Sequence, residues 1–259
     1  MTLQILSDLH LETEDFTATP APGADLLVLA GDVDSRWHGL SQFANWPVPV
    51  LYVPGNHEFD GRDLDEALLG LRARAQELGM TLLERETTFV TAPDGRVIRF
   101  VGTIRWSDFD LFGEAQRPKA MRAAYYFLKL MGASRTGQPF GTEAMRAESL
   151  RCRDWLAQTL AIAPSDEQTW DATVVITHFG PSLRSADPRF GNQPGTASFC
   201  NADDALMPGV DLWIHGHLHC RHDYLVTHER GATRVVSNAR GHGRKRESEG
   251  YDGGLCVRV

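Results

Sequence analysis

Five short apolar runs set the rhythm of this chain, and each ends in a polar residue able to bind a metal ion. Leu3 to Leu6 reads as a short strand ending at Ser7-Asp8, with His10 two residues on. Leu26-Leu27-Val28-Leu29-Ala30 is uninterrupted, as expected of a strand buried on both faces, and ends at Gly31-Asp32. Val50 to Val53 repeats the pattern and runs into Pro54-Gly55-Asn56-His57-Glu58. Thr173 to Thr177 ends at His178, and Asp211 to Ile214 runs into His215-Gly216-His217-Leu218-His219. Two histidines at i and i+2 at the end of an extended segment point to one side of a sheet.

Helical spacing appears between these runs. Asp63 to Gly79 carries Leu64, Leu68, Leu71, Ala75 and Leu78 on one stripe, and Gly79 is a plausible stop. Thr142 to Ala163 places Met145, Cys152, Leu156 and Leu160 near one face. Thr88 to Thr103 reads as a hairpin around Asp94-Gly95. Phe179 to Asn201 reads as a long loop, and Tyr224 to Thr227, Thr233 to Ser237 and Leu255 to Val259 as closing strands. The segment Ile104 to Gly141 is the least regular. It carries Trp106, Phe109, Phe112, Tyr125, Tyr126 and Phe127, and reads first as a surface subdomain packed by its own aromatics, second as a cap over a site. Alternating strands and helices argue for α/β layering. With no repeat and no dividing linker, one domain over residues 1–259 with a cap insertion at about 104–141 is the simplest organisation.

Composition narrows the function. In 259 residues with 42% hydrophobic content a sizeable core can be buried. A net charge of −8 argues against general affinity for nucleic acid or anionic membrane, and bound cations at a clustered acidic site offset part of it. The four cysteines lack C-x-x-C spacing and read as reduced thiols. Cys220 follows His219 directly, and strand alternation turns it away from His217 and His219, which makes it a poor ligand. No stretch is long and apolar enough to span a bilayer and no leader pattern opens the chain, so the expectation is a cytoplasmic protein.

Ligands gather at the carboxyl ends of strands in α/β sheets. One Gly-Asp or one His after a strand is usually structural; five such ends in series are not an accident of turn preference. The motifs Asp8-Leu9-His10, Gly31-Asp32, Gly55-Asn56-His57-Glu58, His178 and Gly216-His217-Leu218-His219 stand in order over residues 8–219. In this the chain resembles the calcineurin-like metallophosphoesterase superfamily, most closely its bacterial phosphodiesterase-like branch. The resemblance implies a four-layer α/β/β/α sandwich of two mixed β-sheets flanked by helices, with a two-metal centre at the strand ends. It places Asp8, His10, Asp32 and His219 around one divalent ion, and Asn56, His178 and His217 with the bridging Asp32 around the second. Carboxylate, imidazole and amide oxygen suit Mn²⁺, Fe²⁺ or Zn²⁺.

The implied reaction is hydrolysis of a small phosphodiester or phosphomonoester by a hydroxide held between the ions, with Asp32, Asn56 and His57 as catalytic residues. His57 contacts the phosphate in this scheme and is the candidate general acid. Ser35 stands where purple acid phosphatases carry tyrosine, and the run Gly31 to Trp37, with Pro54 before Gly55, departs from the protein Ser/Thr phosphatase pattern. A nuclease of the same superfamily and a non-catalytic metal-binding scaffold are the competing readings. Glu58 and His215 are expected to be buried supports, and His38 a surface residue. His222, His228 and His242 lack motif support. Arg240 is a candidate phosphate contact, and Arg244-Lys245-Arg246 a solvated loop.

Overall fold

The computed structural model describes all 259 residues. In chain order its elements are β1 (Thr2–Leu6), β2 (Leu26–Ala30), β3 (Val50–Val53), α1 (Leu64–Glu77), β4 (Thr81–Leu82), β5 (Glu86–Thr91), β6 (Val97–Thr103), α2 (Arg117–Met131), β7 (Ser134–Arg135), β8 (Gln138–Pro139), α3 (Thr142–Leu160), β9 (Ala172–Thr177), β10 (Leu212–His215), β11 (Arg221–His228), β12 (Gly231–Asn238) and β13 (Cys256–Arg258). One sheet has the order β13-β1-β2-β3-β4 and the other β11-β12-β10-β9-β6-β5. The inner strands of each run parallel; antiparallel strands close three of the four edges, β13 on β1, β11 on β12 and β5 on β6, and the parallel β4 closes the fourth.

The two-residue period of a strand explains the layering. Leu26, Val28 and Ala30 of β2 face the second sheet, with Leu3, Ile5 and Val53 on the same side and Phe100, Val174, Ile176, Leu212 and Ile214 opposite. Leu27 and Leu29 of β2 point the other way, onto Leu64, Ala67, Leu71 and Ala75 of α1. On the far face of the second sheet, Val101, Val175, Trp213 and Val235 meet Leu156 of α3. Both faces of each sheet are covered, which is why the central strands are apolar without interruption. The result is the expected helix–sheet–sheet–helix sandwich.

The regular elements lie close to their expected bounds. Asp63 caps α1 by accepting from the Asp65 N–H at 3.0 Å. The hairpin holds, with β5 beginning at Glu86 opposite Gly102, and β11 is longer than expected. The segment 104–141 departs from expectation. It contains α2, begun by Pro118 in its first turn and ended by Gly132 at φ 61°. Only Ala120, Ala124, Leu128 and Met131 of α2 are buried, a stripe masked in sequence by the exposed Tyr125, Tyr126, Phe127 and Leu130. Nor do the aromatics form a separate subdomain: Trp106 is buried among Phe59, Phe140 and Phe179 at 5.2–5.7 Å between ring centres. No helix is long and apolar enough to cross a membrane.

Candidate metal centre

The carboxyl ends of β1, β2, β3, β9 and β10 meet at one edge of the sandwich. The Asp8 N–H donates to the Gly31 carbonyl at 2.9 Å and the Gly216 N–H to the His178 carbonyl at 3.0 Å, so the loops after β1 and β2, and those after β9 and β10, are tied in pairs. Asp8, His10, Asp32, His217 and His219 all adopt positive φ, between 49° and 72°. A left-handed backbone costs a non-glycine residue on the order of 1–3 kcal/mol, and such strain persists only where the surroundings impose it. The glycines of the motifs serve close approach: a Cβ on Gly216 meets Asp8 Oδ2 at 2.5 Å and the Ala30 carbonyl at 2.8 Å.

Seven of the eight residues singled out from sequence form two clusters that share Asp32. One ligand atom from each of Asp8, His10, Asp32 and His219 lies within 4.8 Å of the others, and the same holds for Asp32, His178 and His217. His10 Nε2 faces His219 Nε2 at 3.0 Å, and His219 Nε2 lies 3.4 Å from Asp8 Oδ1. His178 Nε2 lies 3.2 Å from Asp32 Oδ2 and 3.2 Å from Asn56 Oδ1, which brings Asn56 to the second cluster. His57 sits beside both, its backbone N–H on Asp32 Oδ1 at 2.8 Å and its side-chain Nδ1 on Asp60 Oδ2 at 2.8 Å.

Strand geometry does not extend to the last two motif histidines. β10 ends at His215, and His217 and His219 lie beyond it in a left-handed loop. Strand alternation therefore does not aim them; the left-handed loop sends His217 to one cluster and His219 to the other, the division that the family resemblance implies.

The donor set fits divalent ions. Asp32 Oδ2 is buried without a well-directed hydrogen bond, an orphaned acceptor at the point the clusters share. Burial works to raise the Asp8 and Asp32 pKa values, but the imidazoles around them prevail, taking Asp8 down to about 2 and Asp32 well below the usual carboxylate range. Burial among Phe179 and Phe199, seconded by the charge of His178, drives His217 well below its ordinary value and keeps it neutral. For His178 and His219, burial is outweighed by the neighbouring Asp32 and Asp8 carboxylates, which raise both to about 9; cations here displace those protons.

Supporting groups fix the ring orientations. Glu12 faces His10 Nδ1 at 3.1 Å, Glu247 faces His219 Nδ1 at 2.7 Å, and the Ala30 carbonyl accepts from His178 Nδ1 at 2.8 Å. Glu58 is fully buried, as expected, and accepts from the N–H groups of Asp32, Val33 and Gly55 at 3.1, 2.7 and 2.7 Å, clamping two ligand loops together. Neither Glu12, Glu247 nor Asp60 was marked by its sequence; the only signal available was an acidic residue within three positions of a motif histidine for Glu12 and Asp60, and none for Glu247.

The remaining expectations divide. His215 is buried, faces Ser185 Oγ at 2.9 Å and belongs to neither cluster, as expected of a support. His38 is exposed. Cys220 lies against His222 at 3.1 Å, outside the clusters. Arg240 does not face the site: it pairs with Glu14 at 3.1 Å and stacks over Phe16. Lys245, from the run read as a solvated loop, lines the cavity over the clusters.

That cavity encloses about 590 Å³. Asp32, Asn56, His57, His217 and His219 form its polar floor. One wall is apolar, built from Phe127, Leu128 and Met131 of α2 with Phe179, Phe190 and Phe199, and Arg189 and Lys245 stand at the other side.

The sequence profile of the calcineurin-like phosphoesterases matches residues 1–221. Among solved structures, phosphopantetheinyl hydrolase of Mycobacterium tuberculosis superposes with a TM-score of 0.72 at 20% identity over 97% of this chain and 94% of its own. A dimetal phosphatase of Danio rerio gives 0.51 at 15% identity over 92% and 87%. No curated protein sequence matches the chain. With the ligand clusters at the strand ends and the profile spanning most of the sequence, the chain belongs to the calcineurin-like phosphoesterase family.

Proposed function

We propose that the chain hydrolyses a small phosphodiester or phosphomonoester at a binuclear centre, with Asp8, His10, Asp32 and His219 around one ion and Asp32, Asn56, His178 and His217 around the other. The observation that carries this is the buried Asp32 carboxylate standing in both clusters, its Oδ2 without a hydrogen bond. Manganese, iron or zinc suits the mixed nitrogen and oxygen donors. Two such ions supply Lewis acidity toward phosphoryl oxygens and a source of hydroxide at neutral pH.

The protein's own groups do the rest. Asn56 presents its amide beside His178 at the cavity floor. His57, held through Nδ1 by Asp60, has its other nitrogen free to protonate the leaving oxygen. Burial lowers its pKa, but the Asp32 charge and the Asp60 hydrogen bond raise it to about 10, so it carries the proton a general acid needs. With cations bound beside Asp32 part of that field would be cancelled and the value lowered toward the neutral range, where a general acid works best. The aromatic wall fits a leaving group with an apolar or planar part, and Lys245 fits a second anionic group, Arg189 being held by Asp187. A net charge of −8 weighs against a nucleic-acid partner.

The test is hydrolysis by metal-stripped protein re-supplied singly with Mn²⁺, Fe²⁺, Zn²⁺, Ni²⁺ or Mg²⁺, on aryl phosphomonoester and diester substrates. A phosphopantetheinyl ester joins the panel because the hydrolase of that name shares the fold over most of both chains. Turnover should return with at least one ion and be lost in Asp32→Asn. Silence with every ion despite two bound per chain sinks the reading.

A further inference from the structure

We infer that His242 is a third imidazole ligand at the metal position framed by His10 and His219. This rests on the binuclear reading above and adds a residue that no motif marks. One ring nitrogen each from His10, His219 and His242 lies within 4.8 Å of the others. The residue arrives in the loop after β12, where the Gly241 N–H donates to the Asp8 carbonyl at 3.0 Å and ties that loop to the first ligand segment.

Ring spacing is the quantitative argument. The centres of the three rings are 4.3 Å (His10–His242), 4.9 Å (His10–His219) and 5.2 Å (His219–His242) apart. An imidazole bound at about 2.1 Å puts its ring centre about 3.2 Å from the ion, and on that geometry the three spacings correspond to ligand–metal–ligand angles of about 85°, 100° and 110°. Such spacings are compatible with three neighbouring ligands on one ion, although His242 stands outside the group formed by Asp8, His10, Asp32 and His219.

The supporting groups repeat around His242. Nδ1 of His10 faces Glu12, Nδ1 of His219 faces Glu247, and Nδ1 of His242 lies 3.6 Å from Glu14 Oε1. For His10 and His219 the carboxylate behind Nδ1 leaves Nε2 for an ion, and Glu14 stands behind His242 just beyond hydrogen-bond distance. Glu247 also accepts from the His242 backbone N–H at 2.9 Å, so one carboxylate positions two of the three imidazoles. His242 Nδ1 is buried and has no hydrogen bond within range, which leaves the ring free to adjust when an ion draws it in. A third imidazole tightens the hold on that ion and removes a coordination position that a phosphoryl oxygen otherwise takes.

The experiment reads the metal rather than activity. The protein is labelled with ¹⁵N-histidine, loaded with two equivalents of Co²⁺, and its hyperfine-shifted imidazole signals are counted. The inference expects five ligand imidazoles, from His10, His178, His217, His219 and His242, where the remaining set gives four. In His242→Gln one signal should vanish and one of the two ions should bind at least tenfold more weakly in chelator competition, the other unchanged. Four signals in the unmutated protein, or equal affinities in the variant, overturn the assignment of His242 and leave the binuclear centre standing. Failure of the unmutated protein to bind two ions overturns both.

Discussion

Replacing His57 separates proton donation from metal binding. Its backbone N–H, not its side chain, bonds Asp32, so His57→Ala leaves the bridging carboxylate anchored at 2.8 Å. What the variant loses is the imidazole held by Asp60 in the cavity lining, 39% exposed. General acid catalysis contributes 10²–10⁴ in rate, about 3–5 kcal/mol of barrier. The full loss falls on substrates whose leaving oxygen must be protonated, such as alkyl phosphoesters. A nitrophenyl ester departs as a stable anion and needs little help, so its kcat should fall far less. The assay is kcat and kcat/KM for both substrates in wild type and His57→Ala, with metal content measured in each. Asp60→Asn adds a pH test. Removing the negative partner lowers the His57 pKa, so the alkaline limb of the rate profile should move to lower pH. An equal fall on both substrates, with metal content intact, refutes the acid role and leaves His57 as a phosphate contact.

Two further predictions concern the frame of the site. Arg105 is fully buried and bonds Asp203 through two nitrogens, at 2.9 and 2.8 Å, and Asp108 at 2.9 Å. Arg105→Met orphans two buried carboxylates at a cost of about 3–5 kcal/mol. That is a fall of roughly 6–20 °C in Tm for a chain of this size, which calorimetry reads directly. Burial raises the pKa of an orphaned carboxyl, so its ionisation destabilises the fold, and the deficit should shrink as pH falls through the raised folded-state value and level off by about pH 4; a change in Tm within 2 °C at pH 7 contradicts the account. Glu148, 5% exposed and ringed by Arg85, Arg135 and Arg151, is burdened by burial yet drawn down to about 2 by those arginines. Its stabilisation is complete above the ordinary carboxylate pKa of about 4.5 and disappears as pH falls to about 2. Because Arg151 is 54% exposed, the share is trimmed by solvent to about 1–2 kcal/mol. In urea titrations the gap between wild type and Glu148→Gln should close between pH 5 and pH 2 by about that amount, and a constant gap contradicts it.

Much of the fold and most of the ligand set were legible because they follow from short-range order. Leu26 to Ala30 is apolar throughout since both faces of β2 are buried, and each candidate ligand stands within a few residues of such a run. Helix α2 was not legible. Its buried stripe of Ala120, Ala124, Leu128 and Met131 is narrow, while its aromatics are exposed, Phe127 alone of them lining the cavity. Arg240 looked like a phosphate contact by position, and Glu14, 226 residues away in sequence, holds it elsewhere. Glu247 was unreadable for the same reason: its partner His219 lies 28 residues back across two strands.

The sequence by itself determined which donor atoms the site has and the order in which strands deliver them, because a two-residue period and a strand's end are local properties. Tertiary structure alone decided which donors share a point. Left-handed backbones at Asp8, His10, Asp32, His217 and His219 aim side chains that strand alternation does not. The meeting of the two sheets at Ser7 and Ala239 then sets distances between loops whose residues never adjoin in the chain.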